Sequence, residues 1–228
     1  MQLDLFTILG IESAICLLFG IWLLLYSFLT QPFPGTRWSA LAYLLWGICT
    51  LLSAARGNLP DNLTLFVAHA LLAIGMACYH EGLLRLLRAP RQLPGIGLVL
   101  ASIEIFSAYY FGIHQDDLQT RIIISCIVLI IFSLLGIFRI REFGTASGDM
   151  VIHLRITTLF LMVVAVASII RITINVLSPM PAGRLIAGAL QAAPHIAYLI
   201  FFMGSALNLT WMSLRLHDQF PPDASSHC

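Results

Sequence analysis

The chain has 228 residues, a formal net charge of +1, and 59% hydrophobic against only 10% charged residues. Soluble domains carry about 25% charged residues, so with a mean hydropathy of +0.92 this chain needs lipid as its solvent, and its near-neutral charge gives no case for nucleic acid. All twelve basic residues are Arg, and without Lys no Schiff-base cofactor, retinal included, can form.

The first apolar run, 5–29, has no basic segment ahead of it: Asp4 stands in front and the first Arg is Arg37. A helix needs about 20 apolar residues to cross the hydrocarbon core, so this run reads as a retained transmembrane helix and not a signal peptide. Six further runs follow, at 38–55, 62–87, 95–112, 121–140, 154–177 and 185–213. The breaks "TQPFPGTR", "RGNLPDN", "RAPRQLPG" and "SPMPAGR" carry Pro and Gly, while "IHQDDLQT" and "REFGTASGDM" are polar. The expected fold is an all-α integral membrane protein, a bundle of seven transmembrane helices. Residues 1–220 form one domain, and Pro221 and Pro222 end the last helix before a short tail, 221–228.

Arg sets the orientation. With the N-terminus outside, the cytoplasmic segments hold Arg37, Arg85, Arg88, Arg91, Arg139, Arg141, Arg155 and Arg215, against Arg56, Arg121 and Arg184 outside. The positive-inside rule therefore predicts an outer N-terminus and a cytoplasmic C-terminus. No Asp-Arg-Tyr follows the third span and no Asn-Pro-x-x-Tyr lies in the seventh, so receptor chemistry of that kind has no support. Cys16, Cys49, Cys78 and Cys126 fall inside apolar runs and Cys228 ends the chain, a pattern of buried structural thiols.

Ionisable groups inside a membrane are costly and mark function by default. Glu104 falls near the midplane of the fourth span, while Glu12 and His69 lie about two turns in from the outer side. Arg171 and Asn175 share a face of the sixth span, and Gln191 and His195 a face of the seventh, where Pro194 can bend the helix. These seven residues predict an outward-opening polar pocket that takes a small ligand or a proton, with Glu104 and Arg171 as its charge pair. The alternative is a structural network that holds helices together and binds nothing. His69 and His80 are eleven residues apart on one face, and only His195 could complete a haem site, so no metal or cofactor is expected. No Gly-x-Ser-x-Gly occurs and no Asp lies in any run, so no enzyme is expected. In "ACYHEGLLR" (77–85), Glu81 and Arg85 are four apart and read as a paired interfacial collar at the cytoplasmic end of the third span.

"LDLFTILG" and then "PFPGTRWSALAYLLWGICTLLSAARGNLPDNLTLFVAHALLAIGMACYHEGLLRLL" resemble the multi-span N-terminal sensory regions of bacterial diguanylate cyclases, the GGDEF proteins. The likeness rests on Pro34, Gly35, Arg37, Trp38, Leu59, Pro60, Gly82, Leu83 and Arg85, and is best over 30–90. The final span resembles a helix leading into a signalling coiled coil. No GGDEF signature occurs, so cyclic-di-GMP synthesis does not carry over. The resemblance implies a sensory or regulatory module of a bacterial inner membrane, either a truncated sensor or a stand-alone relative. Its partners would be the bilayer and either a second copy of the chain or a separate cytoplasmic signalling protein. A small-solute or ion transporter using the same polar residues is the other reading.

Overall fold

A computed structural model describes residues 5–29, 35–60, 62–89, 94–115, 117–144, 149–177 and 189–219. They form α1 (Leu5–Leu29), α2 (Thr36–Ala54), α3 (Ala68–Leu86), α4 (Pro94–Tyr109), α5 (Leu118–Phe143), α6 (Asp149–Leu177) and α7 (Ala189–Gln219). A π-helical turn, Asn62–Val67, leads into α3, and another, Tyr110–His114, continues α4. Among the described residues each expected run is helical. Several extend past their apolar stretch, as α5 does to Phe143 and α6 from Asp149, because polar interfacial residues still close the i→i−4 ladder.

Among the described residues, six helices are long and apolar enough to cross a membrane; α2, at 19 residues, is outside that set. The chain is thus all-helical with the character of a multi-pass membrane protein. Its surface agrees. Ile127, Ile131, Leu134 and Phe138 make an exposed stripe at helical spacing along α5, and Leu18, Ile21, Leu25 and Phe28 do so along α1. In water such stripes would be large exposed apolar patches. Glu12, Glu104, Arg121, Asn175 and Asn208 are buried instead.

Consecutive helices pack on one another and α7 returns to α1, which closes a ring in chain order. α3 also touches α5, and α2 touches α7, across its interior. Small residues allow the close approaches. A Cβ on Gly20 would stand 2.8 Å from Leu44 of α2, and one on Gly47 would stand 2.7 Å from Leu17 of α1. At the N-cap of α2, Gly35 has φ 112°, and a Cβ there would overlap the Gly82 carbonyl oxygen. Gly35 and Gly82 therefore bring the start of α2 against the end of α3.

That crossing explains "ACYHEGLLR". Arg85 Nε donates to Glu81 Oε1 at 2.7 Å, and its guanidinium lies 4.8 Å from the Trp38 ring centroid. Of the residues that carry the family resemblance, Gly35, Trp38, Gly82 and Arg85 meet here as an α2–α3 clasp, while Leu59 and Pro60 lie past the other end of α2 and Pro34 lies outside the described residues. Cys16, Cys49, Cys78 and Cys126 are buried free thiols, as expected; Cys228 and the tail 221–228 lie outside the described residues.

Candidate functional site

Mid-bundle, aromatic side chains fill the ring. Trp46 sits 5.2 Å from Phe202 and 5.4 Å from Tyr79, centroid to centroid, and Tyr43 packs edge-on to Trp46 at 5.5 Å. Above this layer, toward the end where α1 begins, lies a cavity of about 210 Å³. Every helix except α4 lends residues to its wall. Leu65, Ala68, His69, Leu72 and Met76 come from α3 and the turn before it, and Leu118, Arg121, Ile122, Ser125 and Leu129 from α5. α1 supplies Glu12, α6 supplies Arg171, and α7 supplies His195, Tyr198 and Phe201. Arg56 reaches the rim from the turn after α2, where Gly57 takes φ 92° and Asn58 N–H and Leu59 N–H both donate to the Ala55 carbonyl.

Four of the expected site residues line this cavity: Glu12, His69, Arg171 and His195. Glu104 stands one layer behind, fully buried, and reaches the cavity through its partners. Its Oε1 lies 2.8 Å from His69 Nδ1 and accepts from Ser125 Oγ at 2.5 Å. The expected Glu104–Arg171 pair is not formed. Arg171 lies within electrostatic reach of Tyr198, Cys126 and Glu12. The reason is angular. Glu104 on α4 faces α3 and α5, whereas Arg171 on α6 faces α7. Asn175 is buried but turned away from the cavity: its amide donates to the Arg171 carbonyl at 2.8 Å, and its own carbonyl accepts from Gln119 at 3.2 Å. The Gln191 side chain lies outside the described residues.

The second carboxylate–imidazole pair differs from the first. Glu12 Oε1 and His195 Nδ1 are 3.6 Å apart, too far for a hydrogen bond, and both atoms are buried without a partner. His195 is kept in place by an edge contact to Tyr198 at 6.0 Å.

Arg56, Arg121, Ser125 and Tyr198 are cavity residues that reading by depth missed. Arg56 and Arg121 were counted as outer-loop charges. Arg121 is only 3% exposed, because Asp117 caps α5 and starts the helix ahead of the apolar run. A visible signal was the Arg121, Ile122, Ser125, Cys126 stripe, where polar and small residues recur at helical spacing.

α7 carries a ladder of polar contacts, hydrogen-bonded from Tyr198 onward. His195 faces Glu12 of α1, Tyr198 Oη lies 3.2 Å from Ser168 Oγ of α6, and Ser205 Oγ lies 2.5 Å from Tyr43 Oη of α2. Asn208 closes it, with Oδ1 2.8 Å from His153 Nδ1 and Nδ2 donating to Thr157 Oγ1 at 2.8 Å.

The cavity floor is shared. Trp46, Met76, Leu129, Val164 and Phe201 also line a second space of about 40 Å³, which His80 and Tyr79 border on the far side. Among the described residues, no three of His, Cys, Asp and Glu gather as a metal site. No protein-family model, curated protein or solved structure matches the chain.

Proposed function

We propose that the chain is a non-enzymatic sensory or regulatory module of a bacterial inner membrane. It would cross the bilayer seven times with its N-terminus outside. The observation that carries this reading is the cavity, whose mainly apolar lining is interrupted by polar side chains such as Glu12, His69, Arg121, Arg171 and His195 and which is walled in part by α7. Ligand-binding pockets combine these two surfaces.

Crossing by α2 has a physical basis. Its 19 residues span about 28 Å at 1.5 Å each, close to the hydrocarbon thickness of about 30 Å. Thr36, Ser39, Tyr43 and Trp46 lower its hydropathy, but they are buried against neighbouring helices and need not be apolar enough for lipid. The Arg distribution supports the orientation, which makes the cavity end periplasmic.

Occupancy at His195 and Tyr198 would shift α7 between packings. The ladder through Ser205 and Asn208 would carry the shift to the cytoplasmic end, where a second copy or a separate signalling protein would read it. Directional bonds suit a helix that exchanges partners, since each rung has discrete arrangements.

One observation favours a transporter as the second reading: the 40 Å³ space continues beyond the cavity floor. Spin labels separate the two. Phe138 of α5 and Leu214 of α7 are both exposed near the far end and accept cysteine labels in a background without native Cys. Filling the cavity with Ser53→Phe is expected to change the label-to-label distance distribution. An unchanged distribution, together with proteoliposome uptake that Glu104→Gln abolishes, would replace sensing by transport.

A further inference from the structure

The two carboxylate–imidazole pairs differ in one respect. His69 and Glu104 close on each other at 2.8 Å, whereas Glu12 and His195 stop at 3.6 Å with Glu12 Oε1 and His195 Nδ1 both unpartnered. Glu12 is 2% exposed, and both residues line the cavity. Leaving such buried polar atoms unmet is unfavourable. The geometry points to a small, neutral, hydroxyl-bearing apolar molecule as the occupant, its hydroxyl seated between Glu12 and His195; this rests on the cavity being a ligand site.

A hydroxyl meets both atoms at once. Its proton goes to Glu12 Oε1, and its lone pair accepts from His195 Nδ1–H. An ammonium donates to the carboxylate but has no lone pair for the imidazole, and it brings a like charge toward Arg171, which lies within electrostatic reach of Glu12. A carboxylate accepts from the imidazole but meets Glu12 with like charge. Size follows from volume. An apolar cavity of about 150 Å³ holds benzene, so about 210 Å³ suits an apolar body slightly larger than one six-membered ring.

A matched series on one skeleton tests this: benzyl alcohol, toluene, benzylamine and benzoate. Met76 lies in the cavity wall, and the NMR signal of its ¹³C-methyl group in lipid nanodiscs reports occupancy, with methionines outside the wall reporting simple partitioning into lipid. Benzyl alcohol is expected to shift the Met76 signal saturably, with an affinity about tenfold above that of the other three. Glu12→Leu should bring alcohol and toluene to equal affinity, and Glu12→Gln, which keeps an acceptor oxygen, should retain the preference. If toluene, the amine or the acid binds as tightly as the alcohol to the unaltered protein, the hydroxyl inference falls while the sensor reading stands. If none of the four shifts Met76 saturably, both fall.

Discussion

Glu104 is the group whose removal the bundle should feel most. It is fully buried, and Oε1 serves two helices at once, taking His69 of α3 at 2.8 Å and Ser125 of α5 at 2.5 Å. Glu104→Leu takes the carboxylate from a partly buried imidazole and a buried hydroxyl, leaving them only their own 3.4 Å contact. Each loss would cost about 1–3 kcal/mol in a soluble core, but side-chain hydrogen bonds in membrane helices average about 0.6 kcal/mol and reach about 1.7. With two bonds to one oxygen, the expected loss is about 2 kcal/mol. The Glu104–His69 coupling in a double-mutant cycle with His69→Leu should be about 1 kcal/mol. Reversible unfolding by sodium dodecyl sulfate in bicelles, followed by tryptophan fluorescence, measures all four corners. Glu104 and Arg171 should be additive in the same assay. A Glu104–His69 coupling below about 0.3 kcal/mol would refute the network, as would coupling to Arg171 that exceeds it.

Other outcomes follow from packing and capping. Gly47→Ala puts a Cβ 2.7 Å from the Leu17 side chain and 3.0 Å from its backbone nitrogen, so it should cost about 1–3 kcal/mol in the same unfolding assay; Gly10→Ala, with nothing within 4 Å, should be neutral or stabilising. Asn208→Leu removes the α6–α7 clasp to His153 and Thr157 and should loosen the far end of α7, read as faster amide exchange there. Asp117 lies outside the spans. Its carboxyl is held below the ordinary 3.8, first by the Thr120 hydroxyl and then by the Thr120 backbone N–H. A depressed folded value means the cap stabilises above the unfolded pKa and is lost as pH falls through the folded one. Asp117→Ala should therefore cost about 0.5–2 kcal/mol near neutral pH, and the difference from the unaltered protein should shrink as pH falls below 3.8.

The helices were legible because hydrophobic run length is a strong signal in a membrane chain. Depth was legible too: Glu12, His69, Arg171 and His195 do meet at one end of the bundle. Partner choice was not, because it depends on how each helix is rotated within the ring. Glu104 and Arg171 share a depth range but face different neighbours, and hydropathy alone does not encode that rotation. Asn175 fell on the same helix as Arg171 at the right spacing, yet its side chain bonds its own backbone, a local competition open to Asn. The apolar run starts at Arg121, which reads as an outer edge, whereas the Asp117 cap starts α5 one turn earlier and Arg121 is a buried residue of the helix in the cavity wall.

The proposed outward cavity would be closed at the level of Trp46 and Phe201. Ser53 of α2 lines it above that level, and Gly136 of α5 borders the small space below. Single cysteines at these positions, in a background without native Cys, can be challenged with a small anionic thiosulfonate in spheroplasts and in inside-out vesicles. The cysteine at 53 should react from the periplasmic side and be protected from the cytoplasmic side, and the cysteine at 136 should be protected from the periplasmic side. Reaction at 53 from the cytoplasmic side alone, or equal reaction at both positions from outside, would contradict an outward cavity sealed at mid-bundle.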